Sequence, residues 1–277
     1  GITVQTELGN EVYSWNDEHG YADADITVDG DVGGVVNVLA SALSADANLV
    51  LDTNTFSGTG INVIAGEYAY DTDADLNMTV RAGDVVANID VTAADSQSSA
   101  QATLNFWGSS GNLTGNLDIH ADGYQSYADT DLNLQGGLTG NVTVNADANS
   151  STAYANVSVD LDYVGDLNVN ANGSDSYAYA YVETDGLTGN VNVVADDNSA
   201  DAEVDRLHVD GEHVGALNST ASGYDSYSTI NSWSDGQTGN INITATGESG
   251  FAAVNADVSG NLTGSISAHA QGQGSYA

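Results

Sequence analysis

The sequence predicts an all-β fold, a two-sheet parallel β-solenoid of about eleven coils with a repeat of 24 to 28 residues. Three observations carry that expectation. One phrase recurs along the chain, its residues alternate with the period of a β-strand, and no proline interrupts it.

The phrase is clearest in LTGNLDIHADG (113 to 123), LTGNVTVNADA (138 to 148) and LTGNVNVVADD (187 to 197). Its kernel reads apolar, Asn-like, apolar, any residue, Ala. Anchored on the alanine, kernels fall at Ala40, Ala65, Ala93, Ala121, Ala146, Ala171, Ala195, Ala221, Ala245 and Ala270, spaced 25, 28, 28, 25, 25, 24, 26, 24 and 25 residues apart. Inward positions read Val36 and Val38, Ile61 and Val63, Leu117 and Ile119, Val142 and Val144, with Asn37, Asn62, Asp118 and Thr143 between them facing out. A second alternating run follows each kernel after a polar turn, as in Ala153, Ala155, Val157 and Val159. A unit of this size cannot bury its apolar face alone, so the units must stack, kernels on kernels and second strands on second strands. A two-unit period overlies this one: Ser126-Tyr127, Ser176-Tyr177, Ser226-Tyr227 and Ser275-Tyr276 recur 50, 50 and 49 residues apart, with the tyrosine pointing outward.

Composition removes whole classes of function. With 39 acidic residues, two basic ones (Arg81 and Arg206) and a net charge of -37, the chain cannot build the basic patch that nucleic acid or an anionic membrane requires. It has no cysteine, hence no disulfide, thiolate nucleophile or zinc-thiolate site, and it has no apolar run long enough to span a membrane. The five histidines fall in different units and are expected to face solvent; His208 and His213 match no common zinc spacing. A polysaccharide lyase would want a basic residue at its centre, and among so many acids no particular carboxylate pair stands out, so the chain is not expected to be an enzyme and requires no cofactor. Calcium is the candidate ligand, at Asp71, Asp73, Asp75, Asp129 and Asp131, because coils stacked about 4.8 Å apart bring hard oxygen donors together. The Asn-x-Ser/Thr triplets are numerous, as at Asn141 and Asn156, and a leader removed before Gly1 would make the chain a secreted, extracellular or cell-surface protein.

The ends suggest a partner. Residues 1–7 are expected to form a lone complementing strand, residues 8–261 the solenoid repeats, with Val12 to Asn16 as a degenerate first kernel, and residues 262–277 an incomplete coil. Ile2, Val4 and Thr6 continue the phase of Tyr276 and Ala277, as Thr130, Leu132 and Leu134 continue that of Tyr127 and Ala128. The first strand would then finish the last coil of a neighbour, in contact with Ile266, Ala268, Ala270, Tyr276 and Ala277, and generate an open homopolymer. The alternatives are a monomer whose first strand folds back as a cap, and a binding module or adhesin stalk whose outward Thr139, Asn141 and Thr143 meet surface glycans or ice.

Short Gly/Asn/Ser/Gln/Ala-rich coils, with phrases such as Gln271-Gly272-Gln273-Gly274 and Gly115-Asn116, resemble the repeats of secreted functional amyloids such as curli. The resemblance covers nearly the whole chain in style, although the Ser and Gln ladder positions of curli are not reproduced and the unit here is longer. It implies a β-solenoid fibre subunit of a biofilm matrix that polymerises head to tail.

Overall fold

The computed structural model describes residues 2–7, 19–28, 30–41, 44–66, 71–107 and 111–277. Kernels pair only with kernels and second strands only with second strands, always in parallel, which makes the chain a β-solenoid of about ten turns. Among the described residues the kernel ladder runs from Ile2–Glu7 through Leu117–Asp122 and Val142–Asp147 to Ile266–Gln271. The second ladder runs from His19–Thr27 through Tyr127–Leu134 to Phe251–Val258. To these two sheets the structure adds a third, narrow ladder built by the Leu-Thr of the repeated phrase, where Leu138 and Thr139 lie beside Leu113 and Thr114.

The core is the space between the ladders. Val142, Val144 and Ala146 from the kernel and Ala153, Ala155 and Val157 from the second strand are all fully buried. Burying a valine or isoleucine side chain is worth about 1.5 to 3 kcal/mol. Small alanines on both sides let the two sheets close without a large aromatic core. Tyr163, the largest fully buried side chain among the described residues, sits at the third ladder, where its hydroxyl donates to Asp166 O at 2.8 Å.

Glycine and asparagine in the phrase close the turn into the kernel, with Asp166, Ala216 and Ser265 in the asparagine's place in three coils. Gly140 has φ +144°, a conformation that side chains disfavour, and a Cβ there would lie 2.0 Å from Gly115 O of the coil below. The next residue, Asn141, offers its Oδ1 to the backbone N–H of Asp166 one coil on, as Asn116 does for Asn141. Outward kernel asparagines form a second ladder of side-chain amides: Asn192 donates to Asn168 Oδ1, Asn218 to Asn192 Oδ1 and Asn242 to Asn218 Oδ1, at 2.8 to 2.9 Å.

The serine of the Ser-Tyr pair has a role that sequence periodicity missed. Ser126, Ser151, Ser176 and Ser226 are buried at the corner between kernel and second strand, and each donates its Oγ to a backbone carbonyl at 2.8 to 3.1 Å. Ser151 does so without a following tyrosine, so the serine is not tied to the Ser-Tyr pair, although Ala200 and Gly250 take its place in two later coils.

The first strand requires a correction. Ile2–Glu7 pairs with its own chain, Ile2 opposite Val36, Val4 opposite Val38 and Thr6 opposite Ala40. It therefore occupies the kernel ladder, where the sequence expectation put Val12 to Asn16, and not the phase of a second strand. Residues 12 to 16 lie outside the described residues. Alternation of Ile, Val and Thr suits either ladder, so phase alone could not separate the two, whereas parallel pairing with Val36–Ser41 supplies six residues of backbone ladder within one chain.

Candidate functional site

Because coils repeat, a place that differs from its counterparts one coil away is a candidate site. The most conspicuous difference lies at the last kernel. Leu262 and Ile266 keep the inward phase of Leu138 and Val142, yet they are 43% and 45% exposed while their counterparts are 1% and 0%. Ile266, Ala268 and Ala270 pair on one side with Ile241, Ile243 and Ala245, and no described residue pairs on the other side. Tyr276 is 73% exposed and makes a single bridge to Phe251. Ile2, Val4 and Thr6 stand at the opposite end of the stack, so the chain does not bring the two groups of expected interface residues together.

The five aspartates form two groups on the outer face of the second ladder. Asp73 and Asp75 lie beside Asp46 and Asn48 of the preceding coil, and Asp71 beside Ser44. Asp129 shares a column with Asp75 but is separated from it by Gln101, a full coil between them. Burial, then the negative charges of Asp46, Asp75 and Asp71, push the Asp73 carboxyl up to about 6. Burial and the Asp46 charge raise Asp75 as well. Asp129 and Asp131 are held by neighbours instead: Tyr127 donates to Asp129 at 3.1 Å, and Asn133 and Asn156 donate to Asp131 at 3.2 and 3.1 Å.

A set of possible metal ligands that sequence spacing did not single out is His120, Asp122 and Asp147. His120 Nε2 is 2.9 Å from Asp122 Oδ1 and 3.9 Å from Asp147 Oδ2. Pairing of Asp122 with Asp147 across two coils creates this grouping, and sequence distance hides it. All three residues are partly exposed, and the donors could hold a divalent ion at the surface.

His213 departs from the expectation of solvent-facing histidines. It is fully buried in the third ladder, its Nδ1 2.8 Å from Gln237 Oε1 and its Nε2 3.1 Å from Gly189 O, and burial lowers its pKa. Its position is that of Leu187 one coil before, which places it inside.

Aromatic side chains gather on the outer face of the second ladder. Tyr154 stacks on Tyr179 with ring centroids 4.4 Å apart, His208 on Trp233 at 4.5 Å and Tyr227 on Phe251 at 4.8 Å. Their spacing matches the coil rise, so faces are spent on each other and edges point to solvent. Phenol hydroxyls reach carboxylates, Tyr177 to Glu203 and Tyr179 to Asp205, and burial followed by those partners raises both phenol pKa values. This is a self-satisfied surface that stiffens the sheet.

The chain matches no protein family model, no curated protein and no solved structure. No helix of the described residues is long and apolar enough to cross a membrane.

Proposed function

We propose that this chain is a structural subunit of an extracellular or cell-surface filament, in which the solenoid continues from one molecule to the next. A single observation carries the reading: from Ile2–Glu7 to Ile266–Gln271 the described kernels stack in parallel in one phase, so that any kernel is a template for another. The partner that fits this template is a second copy. Its Ile2–Glu7 strand has a free outer edge among the described residues and already pairs in kernel register with Val36–Ser41. Stacked on Ile266–Gln271 in the register of the internal junctions, it places Ile2 on Ile266, Val4 on Ala268 and Thr6 on Ala270. This contact is heterologous and does not close, so it propagates into a fibre. The register differs from strand completion after Ala277 but keeps the same partner and polarity. Support for an exterior setting comes from the absence of cysteine and lysine and from the acidity, which keeps filaments apart in dilute salt.

Ile266→Asp tests it. Ile266 is half exposed in the single chain, so the variant keeps its fold, whereas in a filament the charge would be buried without a partner. Electron microscopy and sedimentation should show fibres for the parent chain and monomers for the variant; fibres at the parent rate from Ile266→Asp would sink the end-to-end contact.

A further inference from the structure

The outer column that follows the second strand is charged along most of its length. Arg81 precedes Trp107 in it, since Val80 pairs with Phe106. Asp160, Asp185, Asp210 and Asp235 continue it, since Val159, Thr184, Val209 and Ser234 pair in succession. Between these charges stand Trp107 and Gln135. Here the surface opens into a pocket of about 340 Å³.

Trp107 forms one wall and is 63% exposed. Among the described residues it has no ring partner, in contrast to Trp233, whose face is covered by His208. Leu134 and Phe106, both core residues, line the base, and the rest of the wall is polar: Asn105, Asn133, Gln135, Ser158 and Asp160. Asn133 is held in place, donating through Nδ2 to Asn105 Oδ1 and to Asp131 Oδ1, both at 3.2 Å. Asn105, Asn133 and Ser158 lie directly above one another on three successive coils, so rigid sheet, not a loop, spaces them.

We propose that this pocket binds a neutral sugar unit of an oligosaccharide. An indole face left open accepts the C–H face of a pyranose ring, and amides, a hydroxyl and a carboxylate spaced by the coil rise suit its ring of hydroxyl groups. The volume lies at the small end of the roughly 300 to 1,000 Å³ of ligand sites, which limits the buried part of the ligand to about one or two rings. Asp160 and the aspartates that continue its column repel uronic and sulfated sugars, so the ligand is neutral. This inference is independent of filament formation, because the pocket is in the middle of the chain, far in sequence from Ile266.

The test uses the chain of residues 1–277 and four neutral tetrasaccharides as probes, of β-1,4-glucose, β-1,3-glucose, β-1,4-mannose and β-1,4-N-acetylglucosamine, with tetragalacturonate as the anionic control. Calorimetry and indole fluorescence should show saturable binding of at least one neutral probe, with a Kd of roughly 0.1 to 1 mM as expected for a shallow site. Trp107→Ala should weaken it at least about tenfold, a loss of about 1.4 kcal/mol, Trp107→Phe less, and Trp233→Ala not at all. Gln135→Ala, which leaves the aromatic wall intact, should weaken binding as well, and it serves should Trp107→Ala fail to fold by circular dichroism. Absence of saturable binding of all four neutral probes at about 10 mM, equal binding by Trp107→Ala, or preference for tetragalacturonate would overturn the assignment.

Discussion

The two long ladders of this solenoid are built from the same chain with the same coil count, yet they differ in regularity. From Leu117 to Gln271 the kernel ladder runs without a register shift. The second ladder breaks register between Val159 and Asp162, between Ala180 and Tyr181, and between Val204 and Leu207. The kernel is clamped at both ends: a positive-φ glycine and an asparagine close its entry, and a buried serine closes its exit. The exit of the second strand is clamped in some coils only, as where Thr184 donates to Leu161 O at 2.6 Å, and the coils of 24, 25 and 26 residues absorb their differences there and in bulges within the second strand. The lesson is that register in a stacked sheet is set by its turns, and the apolar alternation then only has to agree with it.

The largest break in that comparison should come from a one-residue insertion. Placed between Val144 and Asn145, an extra residue turns the downstream half of the kernel inside out and is expected to cost more than about 4 kcal/mol, read from urea unfolding. The same insertion between Asp160 and Leu161, where the ladder already bulges, should cost less than about 1 kcal/mol. Equal losses would mean that both ladders are equally clamped.

Glycine substitutions give the next largest contrast. Gly140→Ala forces both a disfavoured φ and a Cβ contact with backbone at Gly115 O, and should cost about 3 kcal/mol. At Gly186 the only close neighbour is the Asp162 carboxylate, the far end of a side chain that can swing away, so Gly186→Ala should fall within about 1 kcal/mol of the parent. Thermal melts of the pair decide it.

Smaller still is the amide ladder. Asn192 donates to Asn168 and accepts from Asn218, so Asn192→Ala leaves two half-buried groups short of a partner and should cost about 1 to 2 kcal/mol. Glu183→Ala, on the outer face of the second ladder, should change stability by less than about 0.5 kcal/mol. If the two variants melt together, the asparagine column is decoration and the backbone alone sets the kernel.

How much of this was legible in the sequence follows from the same contrast. Parallel stacking, kernel phase and inward columns could be read from Val142, Val144 and Ala146 and their repeats, because a period of two within a period of 25 leaves little freedom. Ile2–Glu7 was misplaced because the alternation of Ile2, Val4 and Thr6 fits either ladder, and only pairing with Val36–Ser41 chooses. Buried Ser151 was hidden by the more visible Ser-Tyr pairs, and His213 by the assumption that a lone histidine faces water, although its place in the column of Leu138 and Leu187 was a signal that could have found it. The pocket at Trp107 and the grouping of His120 with Asp147 arise from contacts between coils, which no linear motif records.

The smallest expected effect concerns charge on the second ladder, and its sign is unusual for an acidic protein. Asp73 has its carboxyl pushed up to about 6, first by burial and then by Asp46, Asp75 and Asp71, and burial, reinforced by Glu203, pushes Asp201 up to about 6 as well. The unfolded chain binds these protons only near the ordinary value of about 3.8. Between the two values the folded state therefore holds more protons than the unfolded one, and stability rises as the pH falls from 7 toward 4. The cost of the buried charge and its repulsion by neighbours is fully present well above pH 6 and is relieved below it. Both groups are partly solvated, so the gain is small, and molar salt should erase only the part that comes from neighbouring charges. Asp73→Asn removes the charge without changing shape: its melting temperature should exceed that of the parent at pH 7.5 and approach it near pH 3, where Asp73 is mostly protonated in both states. Asn48, Gln101 and Ser99, which share its columns or those beside it, carry no charge and cannot imitate this dependence. A variant that melts below the parent at pH 7.5 would show that the Asp73 carboxylate is held by a partner, a cation among them, and that the acidic columns of the second ladder hold the coils together where we expect them to push them apart.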